Sequence, residues 1–190
     1  MVKVSKSLLL KIARESITEV FEAQNTIDKK QLLEDYPVLN EPLSAFVSIY
    51  IDEELKGQSG SIEPQFSLLD EIIFHAKAAA FQDKNHEPLK VSEYLRAKLQ
   101  LSLLTPRTKL TYTSLENLKS QITPYEDGMF ISLKSQQASL LPQAWSQFSS
   151  FEAFFSHLLL EADISDQELS SYPDIYIFQS ETSSDEPILE

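Results

Sequence analysis

The chain has 190 residues, 42% apolar and 24% charged, with no cysteine and a formal net charge of −13. That length predicts one domain able to bury roughly 70% of its unfolded surface, and the missing thiols exclude disulfides, thiolate metal sites and cysteine nucleophiles. Residues 135–190 hold ten acidic residues and no Lys or Arg, so this acidic third reads as a solubilising face, and no basic footprint for nucleic acid or an anionic membrane is present.

Taken in chain order, Leu9, Ile12, Ala13, Ser16 and Val20 recur at helical spacing and predict one amphipathic helix over residues 5–23. That start reads as a helix and not as a signal peptide; with no membrane-length apolar run, a cytoplasmic location is expected. A short helix follows over 28–35 and stops before Pro37. Phe46–Ile51 is β-branched and aromatic, as in a strand, and its return strand begins at Leu55 after the acidic turn Asp52-Glu53-Glu54. Residues 67–82 form the clearest helix, with Ser67 as N-cap and Leu69, Ile72, Ile73, Ala76, Ala79 and Ala80 on one face. Leu95–Leu103 alternates strictly and predicts a half-buried strand ended by Thr105-Pro106. A helix over 114–122 starts at Ser114, with Asn117 at the capping-box position. Strands at 129–133, 138–141 and 175–178 and an aromatic-rich helix over 151–162 complete the pattern. The expected fold is α+β, a mainly antiparallel sheet flanked by helices, either as one domain over 1–180 or with a smaller second lobe. Residues 181–190 are expected to be an acidic, disordered tail.

Few constellations carry chemistry. Among the three histidines, Glu71 and His75 share a helix face and read as a solvated hydrogen-bonded pair, not metal ligands. Asp83 and His86, in a loop before Pro88, are either a base and its orienter or a cap and a turn residue. Trp145 reads as a buried aromatic at a helix start, with a stacking platform as the minor alternative. No metal or cofactor is assigned. Only three glycines occur, and two of them, Gly57 and Gly60, fall within Leu55-Lys56-Gly57-Gln58-Ser59-Gly60-Ser61. Positive φ, a bulge, or close approach of another backbone or a ligand would each account for them. A regular return strand turns Lys56, Gln58 and Gly60 to one face and Leu55, Gly57 and Ser59 to the other, which makes a polar Ser59 odd if its face is the core.

These segments resemble the AMMECR family, also known as AmmeMemoRadiSam system protein A, from about residue 8 to residue 179. Leu55–Pro64 is similar to the family's Leu-Arg-Gly-Cys-Ile-Gly-Thr signature. Ala76–Asp83 with Pro88-Leu89, the strand ending at Leu104-Thr105-Pro106, Asp127-Gly128 and Leu140-Leu141-Pro142-Gln143 follow in family order. The resemblance implies an antiparallel α+β fold and association with Memo-like and radical-SAM proteins, without a settled reaction. It also places a candidate pocket at Lys56, Gly57, Gln58, Gly60, Asp83, His86 and Gln143, suited to a small polar ligand or a partner segment. The departures are specific. Gln58 stands at the family cysteine, Lys56 at its arginine and Ser59 at its isoleucine. Lys84-Asn85-His86 replaces Pro-Arg-Phe, and a second family cysteine falls near Leu159. Gln58 has no nucleophilic group, so the expected role is an accessory or binding module. The alternative is an enzyme using Lys56, Asp83 or His86 for proton transfer.

Overall fold

Two successive residues with positive φ, Asp52 (51°) and Glu53 (66°), reverse the chain between β1 (Ala45–Ile51) and β2 (Glu54–Gly60). Paired left-handed residues match the right-handed twist of the flanking strands, so a two-residue loop is enough. The structure is a computed structural model that describes residues 4–165 and 167–189. β1 pairs antiparallel with β2 and with β3 (Lys98–Leu104). Ile49 faces Gly57 but Tyr50 faces Leu55, which leaves Lys56 as the extra residue of a β-bulge. The sheet order is β2-β1-β3-β8, with β8 at Ser180–Ser184, so β2 is an edge strand.

By contact, the chain divides into two compact units, one formed by residues up to Leu104 and from Glu181 on, the other by Thr105–Ser180. In the first unit, α1 (Lys6–Glu22) is capped by Ser5, whose Oγ accepts the Leu8 N–H at 3.2 Å. The short α2 (Lys29–Asp35) is capped by Asp28. The long α3 (Leu68–Phe81) is capped by Ser67, with Asp70 and Glu71 in its first turn. Acidic side chains there complement the partial positive charge of the helix start. Leu9, Ile12, Ala13 and Ile17 of α1, and Leu69, Ile72 and Ala76 of α3, share one core with Ala45, Val47 and Ile49 of β1 and Leu99, Leu101 and Leu103 of β3. All six strand residues are odd-numbered, as the period of two requires of one sheet face.

Three expectations need correction in this unit. Val20 is 46% exposed, and Ile17 occupies the buried stripe in its place. Residues 95–97 are not strand. Glu93 Oε2 accepts the Lys90 N–H at 2.8 Å and starts α4 (Val91–Tyr94), and its turn continues through Leu95 N–H to Val91 O and Ala97 N–H to Tyr94 O. A local carboxylate cap wins over an alternation that extends three residues past the strand. The tail is also not disordered as far as it is described. β8 lies beside β3, Ser102 Oγ and Thr182 Oγ1 share a hydrogen bond at 2.8 Å, and Leu189 N–H donates to Leu95 O. Asp185 accepts the Leu99 N–H at 2.7 Å through one oxygen and Arg14 Nε–H at 2.6 Å through the other. Acidity there answers a particular cation and a backbone donor rather than keeping the segment in solvent. Glu190, the last residue of that tail, lies outside the described residues.

The second unit carries β4 (Thr108–Leu110), β5 (Gly128–Leu133), β6 (Gln136–Leu140) and β7 (Asp174–Phe178), in sheet order β4-β7-β5-β6. α5 (Leu115–Lys119) starts at Ser114, whose Oγ accepts the Asn117 N–H, while Asn117 Oδ1 accepts the Thr113 N–H. α6 (Phe151–Glu161) buries Phe151, Phe154, Phe155 and Leu158 against Met129, Ile131 and Ile175. Trp145 lies in this core. Its ring stacks on Phe154 with centroids 3.8 Å apart, and its Nε1–H donates to Asp127 O at 2.7 Å. It is a structural aromatic, and its one polar atom is satisfied.

Candidate functional site

The signature segment lies on β2, and α3 crosses the odd face of that strand. A Cβ added at Gly57 would stand 2.1 Å from the main-chain oxygen of Ala79. The alanine-rich flank of α3 and the bare Cα of Gly57 therefore let helix and strand approach backbone to backbone. A Cβ at Gly60 would meet the Phe46 ring at 2.1 Å. No glycine has positive φ. Of the three reasons weighed for these glycines, close packing accounts for both.

Ser61 N–H donates to Ala45 O, which sets the alternation of the ladder. Ser59 then bonds toward β1, while the main-chain groups of Gln58 and Gly60 turn to the free edge. Gln58 N–H is met there by Asp83 Oδ2 at 2.7 Å. Asp83 also accepts the Asn85 N–H at 2.8 Å and lies 3.2 Å from His86 Nδ1. Burial pushes the Asp83 carboxyl up, but the N–H groups of Asn85 and Gln58 and the His86 ring outweigh it and hold it below the ordinary carboxylate range. The Gln58 amide donates to Ser48 Oγ at 2.9 Å across the hairpin. Lys56 Nζ pairs with Glu93 Oε1 at 3.1 Å, and Glu93 is held low by the Lys90 N–H first and by Lys56 after it. The structure thus joins Gln58, Asp83 and His86 by direct contact and ties Lys56 to the α4 cap. Gln143 belongs to the second unit, on the turn Pro142–Gln147, and donates to Ser180 Oγ at 3.1 Å.

The odd side of the strand holds a network that the sequence reading underrated. Ser59 Oγ lies 2.9 Å from His75 Nδ1, and His75 Nε2 lies 3.1 Å from Glu71 Oε2. The same Glu71 oxygen accepts Ser61 Oγ–H at 2.6 Å, and its other oxygen accepts the N–H groups of Gln65 at 2.7 Å and Phe66 at 3.1 Å. The expected solvated Glu71–His75 pair is instead buried, with Glu71 0% and His75 6% exposed. The clue was the polar Ser59 facing the core, because a buried hydroxyl requires a partner on the element packed over it. Burial lowers the His75 pKa below its ordinary 6.5, partly offset by Glu71. The ring is then neutral at pH 7. Its Nε2–H donates to the carboxylate, and its bare Nδ1 accepts the Ser59 hydroxyl proton.

These shifts have one sign. A histidine depressed in the folded state lets the unfolded chain bind more protons below about pH 6.5. Stability is then lost as pH falls through the folded His75 value. Glu19 is also held low, since its bonds to Ile27 N–H, Lys77 and Thr26 N–H outweigh burial. Glu19 and Asp83 each contribute stability above the ordinary carboxylate pKa that disappears as pH falls through their folded values. Thermal melts from pH 8 to pH 3 are expected to fall in two stages, and His75→Gln is expected to remove only the upper one.

Elsewhere in the first unit, a cleft of about 500 Å³ is lined by Arg14, Glu15, Tyr94, Asp185 and Glu186, among others, and by none of the predicted site residues. No group of three metal-ligating side chains occurs among the described residues, and no helix among them is long and apolar enough to cross a membrane.

The AMMECR1 family model matches residues 10–183. Protein MJ0810 of Methanocaldococcus jannaschii is 29% identical over 158 residues, covering 80% of this chain and 79% of that one. A Sulfolobus acidocaldarius protein is 32% identical over 164 residues, 82% of this chain and 70% of its own length. The crystal structure of the uncharacterised protein PH0010 from Pyrococcus horikoshii superposes with a TM-score of 0.84 at 22% identity, covering 96% of this chain and 93% of that one, and so shares the fold.

Proposed function

The chain belongs to the AMMECR1 family, and from that premise we propose that it is an accessory module that acts by binding partner proteins. Memo-like and radical-SAM proteins are the first candidates, through the family resemblance. The observation that supports this reading is that the candidate proton handlers around the signature segment are already committed. Lys56 is paired with Glu93, and Asp83 is held by two backbone N–H groups and His86. A general acid or base needs a pKa near neutrality and reach toward a substrate, whereas Asp83 is displaced away from neutrality. Fixed, satisfied side chains on a strand edge suit recognition, because little freedom is lost on binding. Gln143 is a candidate for the same role on the second unit.

Catalysis by His86 is the second reading. Its ring is 30% exposed beside Asp83, an arrangement open to proton transfer. Affinity capture with the wild-type chain against Memo-like and radical-SAM proteins of the same host separates the two. Stoichiometric capture is expected, weakened about tenfold or more by Lys56→Ala, while the melting point changes little because an ion pair whose side chains are 22% and 23% exposed still reaches solvent and contributes about 1 kcal/mol or less. Absence of capture with wild type, together with a bound small polar ligand in native mass spectrometry, would favour the ligand-binding or enzymatic reading.

A further inference from the structure

We propose that Ser59, His75 and Glu71 form a nucleophilic acyl-transfer site that accepts carboxylic esters with an apolar acyl group. The site is independent of the partner-binding reading. It uses the opposite face of β2 from Gln58, and it needs none of Lys56, Asp83 or His86.

Three observations carry it. First, hydroxyl, imidazole and carboxylate stand in series at 2.9 Å and 3.1 Å, within the reach required of a nucleophile, its base and the group that orients the base. Glu71 is itself fixed by Ser61 Oγ and the N–H groups of Gln65 and Phe66, which sets the imidazole orientation. Second, the series runs from a fully buried end, Glu71, to a half-buried end, Ser59. Glu71 has no exposed surface, while Ser59 is half-buried on an edge strand. Third, Phe74 is 50% and Phe66 47% exposed; their rings are 6.0 Å apart, and Phe74 meets the His75 ring edge-on at 5.0 Å. An aromatic surface thus leads up to the base, and an apolar acyl chain is what such a surface would hold. The N–H of Gly60, the residue after the nucleophile, turns to the free edge of β2, the position from which acyl-transfer enzymes donate to the developing oxyanion.

The step balances with ester and water alone. Ser59 Oγ forms a bond to the ester carbonyl carbon as its proton passes to His75 Nδ1. Collapse breaks the bond to the leaving alcohol, whose oxygen takes that proton from His75. Water then attacks the acyl-serine with the same base, releasing the carboxylic acid and restoring Ser59. Glu71 positions the ring and stabilises the imidazolium; it does not touch the substrate.

The test is labelling of the wild-type protein with an alkyl fluorophosphonate, with the adduct located by peptide mass spectrometry. The expected result is one adduct per chain on Ser59, absent after unfolding in urea and absent in Ser59→Ala. His75→Gln is expected to slow labelling by about 100-fold or more, the usual contribution of a general base. Hydrolysis of 4-nitrophenyl octanoate is expected to exceed that of the acetate, and Phe74→Ala to narrow the difference. No adduct on the folded wild type, an adduct on another residue, or equal labelling after unfolding overturns the proposal. These readings are on the wild-type chain and stand even where a variant does not fold. Loss of partner capture leaves them unchanged, so the two ideas fail separately.

Discussion

Gly57→Ala is expected to destabilise the protein by about 3 kcal/mol, the upper end of what one added methyl costs in a packed interior. The new Cβ would lie 2.1 Å from the Ala79 oxygen. That oxygen belongs to the backbone of α3 and cannot rotate aside, so helix or strand must translate. Translation would also strain the bond from Gln58 N–H to Asp83, one residue further along β2. Gly60→Ala meets Phe46 at Cγ, the root of its ring, which clears only by a change of χ1 rather than by moving backbone, and about 2 kcal/mol is expected. Urea unfolding of both variants measures the contrast. Equal losses, or a Gly57→Ala loss below about 0.5 kcal/mol, would mean that α3 and β2 can separate freely.

Glu71→Ala should be costlier, at about 4 kcal/mol. The carboxylate accepts from Ser61, Gln65, Phe66 and His75, and has no exposed surface. A buried donor left without a partner costs about 1–3 kcal/mol, and the Gln65 and Phe66 N–H groups, on exposed residues, add less because water reaches them. Glu71→Gln keeps the shape but turns an NH₂ toward one pair of donors, so roughly half that loss is expected. Chemical denaturation reads both values. A Glu71→Ala variant within about 1 kcal/mol of wild type would show that the segment 61–66 holds its fold without the carboxylate.

Much of this molecule is legible in its sequence, and the rest depends on what packs against what. The first hairpin could be read because alternation and an acidic turn are local signals. Ser67 and Ser114 could be read as helix starts for the same reason. Glu71 and His75 were visible as neighbours on a helix face, but not their burial, which depends on β2 lying against that face. Ser59 was visible as a polar residue in an awkward place, and its partner was not. β8 escaped notice because Ser180–Ser184 carries no apolar residue at all; it is a strand because a sheet is waiting for it, with Ser102 meeting Thr182 and Arg14 holding Asp185 just past the strand. The short β4 was missed because three residues are too few to display a period. At the signature segment, the resemblance located Gln58 and Asp83, but only the fold brings the N–H of one to the carboxylate of the other.

The position of β8 also bears on how the chain is made. Ribosomal synthesis delivers β1, β2 and β3 long before residue 180, with all of residues 105–180 between β3 and its last neighbour. Until then the β3 edge carries unmet N–H and C=O groups, the kind of edge that recruits strands from other molecules. The first unit therefore emerges from the ribosome with its sheet unfinished, and the C-terminal residues act as the closing piece. Thr105 and Gln179, at the two ends of the intervening segment, bond to each other through Thr105 N–H to Gln179 O at 2.9 Å and Gln179 N–H to Thr105 Oγ1 at 2.8 Å. Once residues 105–180 have folded, this clasp brings the returning chain back to where it left, so a long wait during synthesis ends in a short search.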